Sequence, residues 1–187
     1  ATTTKIPYKG NIIQAQGKHV YPGFIAPNAT LGLVEVDAVR ASNDQREIGS
    51  FNPHIRSIIA YNTESRVTET MRPNGILQGQ ITPRGGRISG TSSVVQFDAW
   101  NWEDAVYKID DGIHLNWPRM YTTTGWWAEP GPTSKNEDYA KVKNQIWDFF
   151  KRAEAYAKVA RHDETDLKLE AMKGLFKGKK RLFIHAD

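Results

Sequence analysis

Cysteine is absent from this 187-residue chain, which excludes disulfides, thiolate metal ligands and cysteine nucleophiles and leaves the redox compartment open. No apolar run approaches the roughly 18 residues that a membrane-spanning helix needs. No charged-then-apolar leader opens the chain, so a secretory signal is expected to be absent or already removed. Histidine is scarce: the five are His19, His54, His114, His162 and His185. None falls in an H-x-H, H-x-x-H or H-x-x-x-H spacing, so sequence spacing alone marks no metal site. The chain has neither a G-x-S-x-G elbow nor a G-x-x-x-x-G-K-[ST] loop, which argues against a hydrolase serine and a P-loop. Internal repeats and low-complexity tracts are also missing.

What remains is an ordinary globular composition, with 39% hydrophobic and 25% charged residues. The length suffices for one substantial core but falls short of the roughly 250 residues of a complete (β/α)8 barrel. The net charge of +4 is mild and owes much to the run Lys173 to Arg181. That run reads as a solvated helix end or as a face for an acidic partner. No basic stripe accompanies the aromatic residues, which argues against nucleic acid as a ligand.

Along the chain, residues 5–19 suggest a hairpin or edge strand around Ile12-Ile13, and residues 20–26 a buried strand. Residues 31–40 fit a strand or a short helix, because their apolar period does not decide. Turn signals dominate 41–75, with short helical patches around Ile55, Ile58 and Ile59. Strands are expected at Ile76–Ile81, Ser92–Phe97 and Gly112–Trp117, with Pro83-Arg84-Gly85-Gly86 as a turn. Residues 118–134 read as loop. A long amphipathic helix is expected from Ser134, where Glu137 would complete a capping box. Its apolar stripe is Val142, Ile146, Phe149, Phe150, Ala153 and Ala157. A second helix over about 165–177, a stop at Gly178 and a strand over 181–186 complete an αβ step.

Several residues carry possible chemistry. In Thr82–Ser93, glycines accompany Arg84 and Arg87; backbone amides and guanidinium groups both suit an anion, although a polar hairpin turn explains the same residues. Six tryptophans are many for this length. Trp126 and Trp127, in the expected loop over 118–134, could line a pocket or anchor an interface. The carboxylates Asp98, Glu103, Asp104, Asp110 and Asp111 cluster in a loop-rich stretch and read first as solvated turns.

The stretch Tyr21-Pro22-Gly23-Phe24-Ile25-Ala26-Pro27-Asn28-Ala29-Thr30 resembles the first barrel strand of the amidohydrolase superfamily, P-G-F-I-D followed by x-His-x-His. Here Ala26 stands for the aspartate, and Asn28 and Thr30 for the two metal-binding histidines. Downstream, Ile184-His185-Ala186-Asp187 resembles a later strand of imidazolonepropionase-like members, in which the histidine is a metal ligand. Gly85-Gly86-Arg87-Ile88-Ser89-Gly90 is similar to a segment that shapes the pocket wall there, giving Arg84, Arg87 and Ser89 as pocket candidates.

The resemblance runs from Gly17 to Asp187 and is tightest at Lys18–Ile25 and at the Ile184-His185-Ala186-Asp187 end. It implies an α/β fold: a partial TIM-type (β/α)8 barrel over 21–187 with a long β-rich insertion at about 41–133. Residues 1–20 would be a remnant of a small β-sandwich. It also implies a catalytic metal, zinc, that activates water against a C–N bond, with an aspartate as proton shuttle. Of that set only His185 is present, so a degenerate site is expected. Another polypeptide or a further C-terminal region is expected to complete the barrel, in a hetero- or homo-oligomer in the former case. The resemblance leans toward the bacterial periplasm or cell envelope. A non-catalytic binding or assembly subunit using the Trp-rich loops is the alternative. A hydrolase with an unusual metal set drawn from His114, His162 or nearby carboxylates is a third reading.

Overall fold

The computed structural model describes residues 10–186. Its centre is a curled, half-barrel sheet of five strands in the order β1-β2-β3-β4-β7. These are β1 (Phe24–Ala29), β2 (Ile76–Ile81), β3 (Ile88–Gln96), β4 (Val106–Asn116) and β7 (Arg181–His185). β1 pairs parallel to β2 and β4 parallel to β7, whereas β2-β3-β4 run antiparallel. The mixture follows from the connections. The short 82–87 link can only reverse the chain, while parallel pairs need long crossovers. The β4–β7 crossover carries the helices α3 (Tyr139–Lys158) and α4 (Leu167–Phe176).

Two apolar clusters hold these layers. Ile146, Phe149 and Ala153, three members of the expected helical stripe, are buried with Met172 of α4 against Ile88, Ile113 and Leu115 of the sheet. Phe149 also stacks on Phe51, with ring centroids 4.8 Å apart. The second cluster joins Ile81, Val95 and Phe97 to Leu33, Ile58, Tyr61 and Ala105. Side chains alternate across a strand. With Ile113, Leu115 and Leu182 packed toward the helices, Gly112, His114, Asn116, Phe183 and His185 point to the opposite, concave face.

Several local expectations are corrected. Residues 118–134 are not loop: β5 (Tyr121–Trp126) and β6 (Glu129–Lys135) form a separate two-stranded hairpin. Pro130 and Pro132 are tolerated in β6 because an exposed ribbon leaves some backbone N–H positions facing solvent. Ser134 therefore pairs with Thr122 in the hairpin and caps no helix. α3 starts only at Tyr139, after a turn in which the Asn136 side chain accepts from the Asp138 amide at 3.1 Å. Residues 31–40 form turns and an isolated bridge, Val34 to Asn43, in place of a regular element. The 5–19 hairpin falls partly outside the described residues, and residues 10–19 contain no strand. α4 begins where Asp166 accepts from the Lys168 and Leu169 amides at 2.9 and 3.2 Å. The chain breaks from the helix at Gly178, which has φ 67°. Two short helices complete the chain: α1 (Arg66–Met71) precedes β2, and α2 (Trp102–Ala105) leads directly into β4. No helix among the described residues is long and apolar enough to cross a membrane.

Candidate functional site

The parallel register of β4 and β7 sets His114 opposite Phe183 and Asn116 opposite His185. Two histidines 71 positions apart in sequence thus meet: His114 Nδ1 lies 2.8 Å from His185 Nε2. The His114 ring stacks on Phe183 and on His185, at centroid distances of 4.8 and 5.1 Å. Its other nitrogen, Nε2, is 2.8 Å from the Ser92 hydroxyl, which also reaches the Gly112 carbonyl at 3.3 Å. Ser92 and His114 are fully buried and His185 half-buried. The result is a hydrogen-bonded chain, Ser92–His114–His185, crossing three strands of the concave face.

Beside it lies a second group. Arg84, in the turn after β2, donates from one terminal nitrogen to the Asn28 side-chain oxygen and from the other to the Asn28 carbonyl, each at 2.5 Å. Asn28 adopts φ 50°, a conformation that asparagine tolerates better than most residues. The Asn28 amide donates in turn to Gln80 at 3.3 Å, and Gln80 donates to the buried Asp111 carboxylate at 3.1 Å. Asp111 is also ion-paired with Lys108 at 2.5 Å. Asn116 donates to the Ser89 hydroxyl and to the Gly86 carbonyl, both at 2.9 Å.

The electrostatics follow from burial. Burial is the first cause that pushes His114 down to about 3; the adjacent His185 and then Arg84 add to it, and Asp111 opposes it. His114 is therefore a neutral imidazole at neutral pH. Burial also pushes Arg84 down.

Of the sequence candidates, the structure brings Asn28, Arg84 and His185 to this face, with Ser89 joined through Asn116. The Thr30 carbonyl accepts from the Leu33 amide at 2.9 Å, and the Thr30 side chain has no hydrogen-bond partner among the described residues. Arg87 acts through its backbone, donating to Ser50 and accepting from Asn116. Trp126 and Trp127 stand apart, edge to face at 5.3 Å and largely exposed at the end of the β5–β6 hairpin. His162 stacks on Tyr156 beside α4, away from His114. Gln80 carried no sequence signal; Ser92 fell within the Thr82–Ser93 segment, Asp111 within the carboxylate cluster and His114 within the unusual metal set, and none of those readings joined them. Pairing between strands far apart in sequence assembles them.

The donor set does not fit a catalytic zinc. Such a site needs three protein ligands and an open position, and no group of three His, Cys, Asp or Glu side chains converges among the described residues. The two facing imidazole nitrogens are at hydrogen-bond distance, so one proton lies between them. Both nitrogens on one tetrahedral zinc would stand about 3.3 Å apart and carry no proton. Asn28, at one expected histidine position, holds a guanidinium cation, which repels a second cation.

No family model matches the chain, and no curated protein matches it. Among solved structures, an amidohydrolase from Thermotoga maritima MSB8 superposes with a TM-score of 0.68 over 96% of this chain. The fold is amidohydrolase-like. Sequence identity to that protein is 19%, and the shared part covers 50% of its length, so the chain spans about half of it. At this identity the likeness is one of fold, and function has to be argued from the site.

Proposed function

We propose that this chain is one half of an amidohydrolase-like protein of the imidazolonepropionase-like kind, in which the metal-dependent C–N hydrolysis of the family has been lost. Residues 21–187 are read as an incomplete TIM-type barrel with a β-rich insertion over about 41–133, and residues 1–20 as the remnant of a sandwich domain. One observation carries the loss of metal chemistry: the Arg84 guanidinium occupies the side chain of Asn28, where the resemblance places a metal-binding histidine. Elemental analysis after zinc loading and desalting is expected to show well under one equivalent of zinc. One equivalent, lost in the His185→Ala variant, would overturn this reading.

The same proposal assigns the other half of the barrel to a second polypeptide or a further C-terminal region. β7 has a strand partner on one edge only among the described residues. Beside it runs an apolar groove of about 300 Å³ whose walls include Leu115, Trp117, Phe150, Phe176, Leu182 and Ile184. An unpaired edge next to an apolar groove suits an added strand with its covering helix. The exposed Trp126 and Trp127 favour the alternative, an assembly surface on the hairpin. Sedimentation of the chain alone is expected to show concentration-dependent association that Ile184→Lys abolishes. Loss of association in Trp126→Ser/Trp127→Ser instead would favour the hairpin, and a monomer at all concentrations would remove both surfaces as sites of self-association.

A further inference from the structure

We infer that the concave face is a receptor for a carboxylate, with Arg84 as its anchoring cation. A guanidinium carries five N–H donors, and Arg84 gives one from each terminal nitrogen to Asn28. Nε–H and one further hydrogen on each terminal nitrogen have no partner among the described residues. Both atoms that Arg84 does contact are neutral oxygens, so its charge is solvated by dipoles and not cancelled.

The neighbouring charges do not cancel it either. Asp111, the buried carboxylate of this face, is held by Lys108 at 2.5 Å, by Gln80 at 3.1 Å and by the largely exposed Arg181 at 3.9 Å, so it has no charge to spare for Arg84. Asp110 is paired with Arg56 at 2.8 Å. No carboxylate offsets the effect of burial on Arg84. The imidazole beside it, His114, is neutral and bonded at both nitrogens. The face therefore holds one half-buried positive charge without a counter-charge, an arrangement that costs energy unless an anion completes it.

The size of the imbalance identifies the anion class. Arg84 is the half-buried charge without a carboxylate, Arg181 being exposed and already facing Asp111; a single such charge calls for a monoanion, and the planar side of a guanidinium, Nε–H with a terminal N–H, matches the two oxygens of a carboxylate. A phosphate dianion would need a second half-buried cation beside Arg84. The inference is independent of metal, because the anchor is a side chain.

The test uses chain stripped of metal over a chelating resin, titrated with sodium acetate, inorganic phosphate or chloride at constant ionic strength. The Arg84 Nε resonance is followed by NMR. Saturable movement with acetate is expected, with weaker binding of phosphate and none of chloride. Arg84→Gln is expected to raise the acetate Kd at least tenfold. Arg66→Gln, which removes the same charge from the exposed face of α1, should leave it unchanged. Because Arg84→Gln could disturb the turn, Arg84→Lys serves as a second variant: it keeps the charge but loses the fork, and should also bind acetate more weakly. Binding that survives Arg84→Gln, phosphate held more tightly than acetate, or no saturable shift in the folded wild-type chain would each overturn the proposal. Acetate binding that appears only after zinc is restored would return the site to a metal centre instead.

Discussion

Lowering the pH from 7 to 5 is expected to cost the folded chain about 2 kcal/mol through His114 alone. The ring is 1% exposed and its folded value is pushed from 6.5 down to about 3, by burial first and then by His185 and Arg84, against Asp111. Between those two values the unfolded chain binds a proton that the folded chain does not. Stability contributed by the neutral ring is therefore full above pH 6.5 and is lost progressively as the pH falls toward 3. Urea unfolding of wild type and His114→Gln at pH 7 and pH 5 isolates this contribution from the other histidines. The variant loses the stack on Phe183 at both pH values, but its deficit should shrink by about 2 kcal/mol at the lower one. Parallel pH profiles would show that His114 titrates normally in the folded state.

Replacing Gly90 by alanine should destabilise the protein by about 3 kcal/mol, from strain and overpacking together. Gly90 sits in β3 with φ 146°, and an added Cβ would lie 2.7 Å from the Ile55 carbonyl oxygen and 2.9 Å from a Pro83 ring carbon. The first of these is backbone and cannot swing away. It belongs to the carbonyl that accepts from the Thr91 amide at 2.7 Å, so relief would pull on the strand that carries Ser92. Gly178→Ala is the comparison: it also has positive φ, at 67°, but nothing lies within 4 Å of the added atom. Strain alone should cost that variant about 1 kcal/mol. Equal losses in the two variants, measured by denaturant unfolding, would mean that the contact with Ile55 relaxes freely.

Much of the scaffold was legible in the chain because the signals are local. The stripe Ile146, Phe149 and Ala153 on α3 and the apolar runs of β2 and β7 each declare their period within a few residues. The hairpin β5–β6 was not legible. Its threonines favour a strand, but Gly125, Pro130 and Gly131 read as breakers unless the strand is known to be an exposed edge. The start of α3 was misread for a related reason: Ser134 and Glu137 have capping-box spacing, and the pairing of Ser134 with Thr122 takes precedence over it.

The candidate site divides in the same way. The resemblance at Pro22–Ile25 located Asn28, and Ile184-His185-Ala186 located His185. Residue type alone is enough to say that an amide and a hydroxyl bind zinc poorly in place of imidazole. Sequence by itself thus determined the mixed α/β character, the main helices and the absence of an H-x-H pair. Only the tertiary structure decided that His114 closes on His185, that Ser92 lies behind it and that Arg84 grips Asn28. Those contacts depend on strand order and on the one-residue register of β4 against β7, where a single slip would turn His114 away from the concave face. Register is set by the packing of Ile113, Leu115 and Leu182 under two helices, a long-range constraint that no local pattern in the chain records.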